Sequence, residues 1–381
     1  MNLGPESVKA MLDGKVMQAS SRLEIRLAEL VAFDTRNPGG DERTMAEYLA
    51  RRLTGLGART TEVFATAGHY STFACFGAPA PSLILNAHID TVPANTGYSS
   101  DPLELVRRGG RLHGLGSADT KGAIAAILEA LDAMKASGAS PNSLAVLFSG
   151  DEELGGASIR EFLASERSQG LARAIVCEPT GCRVGIRHRG VYAARIGATS
   201  PGGHSSLSES VPNPLTALAR AAIALDDLGV RCRELGPEGL RGLCMNIASF
   251  DGGMAFNIIP ARTTLTFSMR PAPGVDLDSI LDQARDAVRM ATAPLTTEWE
   301  MVASNPAFET RDIEGFVPLL GDRSRSPVDL SFGTEAGQFV EKGIDAVVLG
   351  PGRVEQAHRA DEYVDLDELE EAVRVFLQVI R

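Results

Sequence analysis

The sequence predicts an α/β fold, in which a domain with a mostly parallel sheet is interrupted by a smaller α+β domain. Short apolar runs such as residues 83–85 and 174–176 alternate with amphipathic segments of about 10 to 15 residues, which is typical of βαβ units. After residue 178 the apolar runs become shorter and alternate with polar residues, as in half-exposed antiparallel strands. The length of 381 residues also favours two domains over one.

The first domain is predicted to be discontinuous and to consist of residues 1–182 and 303–381. Amphipathic periodicity predicts its helices, and continuous apolar runs predict its buried strands. The predicted helices cover residues 22–33, 43–56, 121–135, 158–165 and 366–380. The predicted strands cover residues 83–85, 144–148, 174–176 and 346–349.

The inserted domain, residues 183–302, is predicted from alternating strands and two helices. In residues 263–269 apolar and polar side chains alternate strictly, so one face of this strand is expected to be buried and the other exposed. The other predicted strands cover residues 191–196 and 244–250, and the helices cover residues 214–228 and 277–290.

The composition argues against several functions. The net charge of −12, from 49 acidic and 37 basic residues, disfavours nucleic acid or an anionic membrane as a partner. The five cysteines are odd in number and form no Cys-x-x-Cys, so a reduced, cytoplasmic protein is expected. Residues 1–20 lack the apolar core of a signal peptide, and no apolar run of about 18 residues is available to span a bilayer.

Candidate metal ligands follow the ends of the predicted strands. The neighbouring carboxylates of Asp151-Glu152-Glu153 repel one another, and at a strand end they are costly unless cations or protons compensate them. Because the carboxyl ends of parallel strands face one crevice, side chains from several strands are expected to meet there. Three carboxylates and two histidines suffice for two divalent ions that share a bridging carboxylate, and such ligands suit zinc, cobalt or manganese. The candidates are His88, Asp90, Asp119, Glu152, Glu153, Glu178 and His358.

Local spacing suggests roles for some of these residues. His88 and Asp90 lie two residues apart on an extended segment and project to the same side, so Asp90 is predicted to orient the imidazole. Adjacent residues leave the chain in different directions, so one of Glu152 and Glu153 is expected to bind metal and the other to act as a base. Asp119 directly precedes an alanine-rich helix, where aspartate is also common as an N-cap.

Other catalytic classes are disfavoured by the motifs that the sequence lacks. The glycines in residues 114–116 suggest a dinucleotide loop, but Asp119 stands where the third glycine belongs. Cys177 lies at a strand end, yet a buried core cysteine is far more common than a nucleophile without an oriented histidine. The sequence also contains no Gly-x-Ser-x-Gly elbow of a serine hydrolase.

Several segments resemble the successive motifs of the M20 metallopeptidase and deacylase family. The similarity extends over nearly the whole chain, and the matching motifs are residues 86–93, 114–122, 151–153, 178–180 and 203–206. Within the family, the sequence is most similar to the acetylornithine deacetylase branch, through residues 334–336, 349–352, 356–358 and 361–363. Residues 33–38 also resemble the related acetylcitrulline deacetylases.

The resemblance implies a catalytic domain that holds two divalent metal ions, with Zn²⁺ expected and Co²⁺ as the alternative. By matching positions, the first ion is expected to be held by His88 and Glu178 and the second by Glu153 and His358. Asp119 is expected to bridge the two ions. Glu152 becomes the general base. The resemblance thus divides the roles of the two neighbouring glutamates.

The resemblance also implies that the insert is a ferredoxin-like lid through which two copies form a homodimer. His204 is expected to reach into the partner's active site, and the glycine-rich turn before it lets the imidazole project freely. Asn257 and Arg270 resemble substrate-contacting residues of the lid, and the guanidinium of Arg270 suits a free carboxylate. Glu335 is a further candidate, for contact with a substrate cation such as the ornithine ammonium group.

The predicted reaction is metal-dependent hydrolysis of the amide bond of an N-acyl amino acid. N-acetyl-L-ornithine, which yields L-ornithine and acetate in arginine biosynthesis, is the predicted substrate. Glu152 is expected to take a proton from water and return it to the departing amine, while His204 helps to stabilise the oxyanion. The alternatives are an N-acetylcitrulline deacetylase, a succinyl-diaminopimelate desuccinylase and an M20 di- or tripeptidase. A non-catalytic metal-dependent binding protein is a further alternative, although binding alone has no need for Glu152.

Overall fold

The computed structural model describes residues 22–77 and 80–381, which form two compact units. Residues 1–20, in which the sequence predicts no signal peptide, lie outside the described residues. Among the helices that the structure describes, none is both long and apolar enough to cross a bilayer. The first unit contains the chain up to Ile186 with Thr310–Leu330 and Thr334–Arg381, and the second contains Arg187–Glu309 and Ser331–Gly333.

The first unit begins with helices and strands that alternate along the chain. Its helices in this part are α1 (Arg22–Val31), α2 (Glu42–Gly55), α3 (Lys121–Ala136) and α4 (Ala157–Ala164). Its strands are β1 (Thr60–Thr66), β2 (His69–Gly77), β3 (Leu83–His88), β4 (Val106–Arg108), β5 (Arg111–His113), β6 (Ser143–Ser149) and β7 (Arg173–Val176). The antiparallel pair β1–β2 was not predicted from the sequence, and in β1 only Phe64 is buried.

The chain then passes into the second unit and returns. The strands from here to residue 309 are β8 (Gly185–His188), β9 (Val191–Thr199), β10 (Gly203–His204), β11 (Asn246–Gly252), β12 (Ile258–Ile259), β13 (Arg262–Met269), β14 (Thr297–Asn305) and β15 (Phe308–Glu309). The helices among them are α5 (Pro214–Arg231) and α6 (Leu277–Thr292). The final elements are α7 (Val317–Leu320), β16 (Val328–Asp329), α8 (Ala336–Glu341), β17 (Asp345–Val348), β18 (Tyr363–Asp365) and α9 (Leu366–Val379).

Six strands of the first unit form a sheet in the order β1-β2-β6-β3-β7-β17. Strand β3 is parallel to β6 and β7, and β7 is parallel to β17. Every residue of β3 is buried, as expected for a strand that is covered on both faces. Helix α3 packs against α1 and α9 and contributes alanine, isoleucine and leucine side chains to the core. The carboxyl ends of the parallel strands therefore meet at one edge of the sheet.

The second unit has four long strands in an antiparallel sheet of order β11-β13-β9-β14, with α5 and α6 packed in its core. Its element order, β9-α5-β11-β13-α6-β14, is the β-α-β-β-α-β pattern of a ferredoxin-like fold. Along β13 the apolar side chains are buried and the polar ones are largely partly exposed, as their alternation predicts. The predicted fold class, a mostly parallel α/β sheet with an α+β insert, is confirmed.

The limits of the second unit differ from those predicted for the insert. The sequence places the insert at residues 183–302, whereas the second unit runs from Arg187 to Glu309. The difference at the far end arises because β14 continues beyond Val302 as a paired strand to Asn305. Backbone pairing thus extends further than the apolar pattern that marks the strand.

Candidate metal centre

The candidate metal ligands lie at the carboxyl edge of the first unit's parallel sheet. His88 is the last residue of β3, and Glu178 follows β7 by two residues. Glu153 belongs to a short 3-10 turn after β6, while Asp119 lies in the turn before α3. Because β3 is parallel to β6 and β7, the ends of these strands bring His88, Glu153 and Glu178 to the same place, and the turn before α3 adds Asp119.

Asp119 lies between two histidines, and each of its carboxylate oxygens contacts one of them. Its Oδ1 is 3.0 Å from Nε2 of His88, and its Oδ2 is 3.2 Å from Nε2 of His358. Glu178 Oε1 lies 3.8 Å from the same His88 nitrogen, and Glu153 Oε1 lies 2.9 Å from the His358 nitrogen. The Asp119 carboxylate therefore faces two separate imidazole–carboxylate pairs, which is the arrangement required of a bridging ligand.

The donor set fits divalent cations. Within the described residues, His88, Asp119 and Glu153 present ligand atoms that all lie within 4.8 Å of one another. Burial raises the pKa of Glu178 well above its usual value, and the carboxylates of Asp119 and Glu153 raise it further. The cluster thus contains three carboxyl groups and two imidazoles, and imidazole nitrogen with carboxylate oxygen suits zinc-like ions.

The two histidines carry protons when cations are absent. The pKa of His358 is raised to about 11, chiefly because it donates to Asp119 and Glu153. Burial lowers the pKa of His88, but hydrogen bonding to Asp119 and the nearby Asp90 outweighs burial and raises it well above its usual value. The pKa of Asp119 is lowered despite its burial, because both imidazoles donate to it. Cations entering this site must therefore displace protons from the imidazoles.

Two backbone features hold ligands in place. His358 has a left-handed backbone, with φ of 56°, and Asn95 Nδ2 donates to its carbonyl oxygen at 2.6 Å. The hydroxyl of Thr120 accepts from the backbone N–H of His88 at 3.1 Å and donates to the His88 carbonyl at 2.8 Å. Both imidazoles are thus anchored through their main chain.

Asp90 has a wider role than the sequence predicts. His88 Nδ1 lies 2.9 Å from the backbone carbonyl oxygen of Asp90 and 3.4 Å from its carboxylate, so the main chain makes the shorter contact. The carboxylate instead accepts the backbone N–H groups of Glu152 and Glu153, each at 3.1 Å. Asp90 therefore ties the end of β3 to the turn that carries the two glutamates.

The turn after β6 separates its acidic side chains. Asp151 has a left-handed backbone, with φ of 57°, and its carboxylate accepts the N–H groups of Ala157 and Ser158 at the start of α4. The Asp151 carboxylate therefore stabilises the start of α4. Burial and the neighbouring carboxylates of Glu178, Glu153 and Glu335 together raise the pKa of Glu152 well above its usual value, against the opposing effect of His88.

Glu362 is a supporting residue to which the sequence analysis assigned no role, although it lies in the motif of residues 361–363. Its carboxylate is 2% exposed and accepts the backbone N–H groups of Gly116, Ala118 and Asp119 at 2.9 to 3.2 Å. Burial raises its pKa to about 8 in spite of these bonds. Glu362 lies only four positions after His358, so it ties the turns of two ligands together. The sequence feature that could have indicated this role is an acidic residue directly before β18.

Glu335 lies in the interior of the first unit. It is 2% exposed, and Ser149 Oγ donates to its Oε2 at 2.6 Å. Burial raises its pKa to about 7. The carboxylate thus supports the end of β6 from within the protein, and its predicted contact with a substrate cation stays a prediction.

The second unit carries the other predicted residues, all of them exposed. The pairing of β10 with β12 sets His204 opposite Ile258, and the carbonyl of Asn257 accepts the N–H of Ser205 at 3.0 Å. His204 Nδ1 accepts the N–H of Ser206 at 3.2 Å, so its proton lies on Nε2. Arg270 follows β13 and is exposed. The structure thus brings His204, at the end of β10, close to Asn257, in the turn before β12.

A parallel α/β sheet with two imidazole–carboxylate pairs at its carboxyl edge defines a metal-dependent hydrolase of the dinuclear type. The chain belongs to peptidase family M20/M25/M40, whose sequence model matches residues 84–381. The predicted family resemblance is confirmed, and the protein is a metal-dependent amidohydrolase.

Curated relatives match most of the chain. It is 32% identical to N-acetyl-L-citrulline deacetylase of Xanthomonas campestris pv. campestris, over 95% of this chain and 98% of that protein. It is 30% identical to acetylornithine deacetylase of Proteus mirabilis, over 93% of this chain and 94% of that protein. These two relatives differ in the substrate that their names give.

Solved structures share the fold. The M20 family metallo-carboxypeptidase Sso-CP2 from Sulfolobus solfataricus has a TM-score of 0.77 at 17% identity, covering 95% of this chain and 99% of its own. A tripeptidase from Staphylococcus aureus has a TM-score of 0.77 at 19% identity, covering 94% of this chain and 97% of its own. At these identities the likeness describes the fold alone.

Proposed function

We propose that the protein hydrolyses the amide bond of an N-acyl amino acid, with N-acetyl-L-ornithine as substrate and L-ornithine and acetate as products. The observation that carries this proposal is the Asp119 carboxylate, whose two oxygens face separate imidazole–carboxylate pairs. The deacetylase relatives support the reaction class, since both named activities remove an acetyl group from an amino acid nitrogen.

The five ligands are assigned by their contacts. His88 and Glu178 would hold one divalent cation, Glu153 and His358 would hold the other, and Asp119 would bridge them. Zn²⁺ is the first candidate and Co²⁺ the second. When bound, such cations lower the pKa of water and polarise an amide carbonyl.

Glu152 is the proposed general base. It takes a proton from the attacking water and delivers that proton to the departing amine, which keeps the leaving group neutral. A base must be held in one position, and the bond from its backbone N–H to Asp90 provides this restraint. The raised pKa of Glu152 also favours a carboxylate that accepts a proton readily.

The second unit is proposed to act as a lid and as the surface of a homodimer, with residues 1–182 and 303–381 forming the catalytic domain. His204 would donate from Nε2 to the oxyanion, because its Nδ1 is occupied by the N–H of Ser206. Asn257 and Arg270 would contact the substrate, and Arg270 would bind the substrate's carboxylate. The exposed side chains of Met254 and Phe256 support a surface that another copy covers. A cytoplasmic role in arginine biosynthesis stays a prediction.

The test is amine release from a panel of substrates, run with Zn²⁺ and with Co²⁺. The panel contains N-acetyl-L-ornithine, N-acetyl-L-citrulline, succinyl-diaminopimelate and short peptides. We expect the highest kcat/KM with N-acetyl-L-ornithine and loss of all turnover after chelation. Activity confined to peptides would overturn the deacetylase proposal, and full activity after chelation would overturn the metal-dependent mechanism.

N-acetyl-L-citrulline is the second candidate substrate, because a citrulline deacetylase matches 95% of the chain. Ornithine ends in a cationic ammonium group, whereas citrulline ends in a neutral ureido group. The ratio of kcat/KM for these two compounds therefore measures whether the site recognises a side-chain charge.

A further inference from the structure

A chain of buried polar residues leads from helix α2 to the turn that carries Glu152 and Glu153. It starts at Glu42, the first residue of α2, which is 5% exposed. Glu42 Oε1 accepts from Asn37 Nδ2 at 2.6 Å and lies 2.9 Å from His69 Nδ1. Glu42 Oε2 accepts the backbone N–H of Tyr70 at 2.7 Å. Both oxygens of this carboxylate are therefore held by donors.

Asn37 connects Glu42 to Asp90. Its Nδ2 donates to Glu42 Oε1 at 2.6 Å and to Asp90 Oδ2 at 2.9 Å, so both hydrogens of the amide are used. An ionised carboxylate only accepts hydrogen bonds, so Glu42 requires the nitrogen of the Asn37 amide on this side. Glu42 thus determines that a donor, and not the amide oxygen, faces Asp90.

Asp90 is the point where this chain of contacts reaches the metal centre. The residue is fully buried, and its carboxylate accepts the N–H groups of both glutamates of the turn at 3.1 Å. Its Oδ1 also lies 3.4 Å from His88 Nδ1. Any rotation of this carboxylate would therefore break its hydrogen bonds to the backbone of the proposed base and of one proposed metal ligand.

The backbone at Gly150 provides a second contact between Glu42 and the same turn. A Cβ atom built on Gly150 would lie 2.5 Å from Glu42 Oε2 and 2.6 Å from the carbonyl oxygen of Tyr70. Glu42 therefore packs directly against the residue that precedes Asp151. The carboxylate is close to the turn through the main chain as well as through Asn37.

We propose that Asn37 and Glu42 are positioning residues of the hydrolytic site. They hold the Asp90 carboxylate in the orientation that places the backbone of Glu152 and Glu153. Neither residue contacts the reacting atoms, and both act through Asp90. The inference rests on the proposed roles of Glu152 as base and Glu153 as ligand.

The test uses the variants E42Q and N37A. In E42Q the amide oxygen of the substituted side chain must accept from the backbone N–H of Tyr70. Its NH₂ group therefore faces the side-chain nitrogen of Asn37. Asn37 must then turn its oxygen towards Asp90, although the substituted side chain has the size of glutamate and keeps helix α2 intact. N37A removes the donor to Asp90 directly. We expect kcat to fall about tenfold to a hundredfold in each variant with KM nearly unchanged, as is typical when support of a metal site is lost.

Binding of Co²⁺ provides a readout that is independent of turnover. We expect calorimetry to show an affinity for Co²⁺ that is about tenfold weaker in E42Q and N37A, because Glu153 and His88 lose a common restraint. The matched control is D41A, which removes the neighbouring N-cap of the same helix by deleting the acceptor for Arg43 N–H and Thr44 Oγ1. D41A should lower the melting temperature while leaving kcat and Co²⁺ affinity unchanged.

Each outcome decides the proposal. Wild-type kcat and Co²⁺ affinity in E42Q, the variant least disruptive to folding, would overturn it. Equal losses in D41A would attribute the effect to a loosened helix and would also overturn it. If the wild-type protein hydrolyses none of the substrates of the panel, the proposed function fails, yet the Co²⁺ affinities still test the positioning network.

Discussion

The candidate functional residues at the sheet edge of the first unit contact one another, whereas those around β10 and β12 of the second unit are exposed to solvent. At the sheet edge, His88 and Glu178 are 1% and 5% exposed, and both oxygens of Asp119 contact imidazoles. In the second unit, His204 at the end of β10 and Asn257 in the turn before β12 are exposed, and the 2.8 Å contact of His204 Nδ1 is with the hydroxyl of Ser206, two positions away. The candidate residues of the first unit are thus joined by contacts with one another, whereas those of the second unit face solvent.

The difference matters because the burial of ionisable groups is evidence for a functional role, whereas their exposure is not. Gathering several ionisable groups away from water costs free energy, so a buried cluster persists only where something compensates its charge. An exposed imidazole or amide costs little wherever it stands. The roles of His88 and Glu178 can therefore be argued from their burial, and that of the exposed His358 from its contacts with Asp119 and Glu153. The roles in the second unit depend on contacts made with substrate.

The largest effect is expected from E152Q. The substitution removes the proposed base but keeps the size of the side chain and its backbone bond to Asp90. We expect kcat to fall by about 10² to 10⁴-fold, the usual contribution of a general base, with Co²⁺ affinity retained. The matched control E161Q alters a glutamate whose partner is Arg167 on the surface, and it should keep wild-type kcat. Unchanged turnover in E152Q would remove this residue from the mechanism.

H204A tests the exposed side of the comparison. If His204 donates to the oxyanion only during the reaction, its removal should lower kcat by about 10²-fold and leave Co²⁺ affinity unchanged. H88A should do the reverse and weaken Co²⁺ binding, because this imidazole lies beside Asp119 and Glu178. Loss of metal affinity in H204A would mean that the second unit supplies a ligand, which contradicts the assignment.

Metal affinity is expected to depend on pH through the first unit alone. The pKa of His358 is raised to about 11 and that of His88 is also raised, so both are protonated near neutral pH without metal. Cation binding displaces these protons, so affinity should increase with pH, by up to about tenfold per pH unit for each proton displaced. Calorimetry of Co²⁺ in buffers of different ionisation enthalpy would count the protons. Binding that neither releases protons nor varies between about pH 6 and pH 8 would refute the protonated state.

The smallest effect is expected from D276A in the second unit. Asp276 caps α6 by accepting the N–H of Ser279 at 3.1 Å. Its loss should lower the free energy of unfolding by about 1 kcal/mol, as for other N-caps, without changing Co²⁺ affinity. Urea unfolding measures the first quantity and calorimetry the second. A weaker Co²⁺ affinity in D276A would show that the two units are energetically coupled at the metal centre.

Much of the first unit is predictable from local pattern. The apolar runs before His88, Glu152 and Glu178 mark buried strands, and parallel strands necessarily place their ends together. The same reasoning did not find β1, in which only Phe64 is buried and every residue pairs with a residue of β2. Strand limits such as the end of β14 are also decided by pairing and not by apolar content.

The support of the candidate site was far less predictable than its ligands. Asp90 lies two residues after His88 in sequence, yet its carboxylate accepts hydrogen bonds from the turn of Glu152 and Glu153, more than 60 residues away. Glu362 likewise accepts from a turn about 245 residues before it. These partners are backbone N–H groups, which every residue except proline carries, so no residue type in the sequence marks them.

The sequence by itself determined which residues are available for metal chemistry, because acidic and imidazole side chains that follow apolar runs can be recognised without a structure. It also determined the family, through motifs in a set order. Only the tertiary structure decided how these groups are held: which oxygen of Asp119 faces which histidine, why Glu335 is buried, and how Glu42 acts on Asp90 through Asn37. Hydrogen bonds depend on distance and direction between atoms, and both arise only when distant segments pack together.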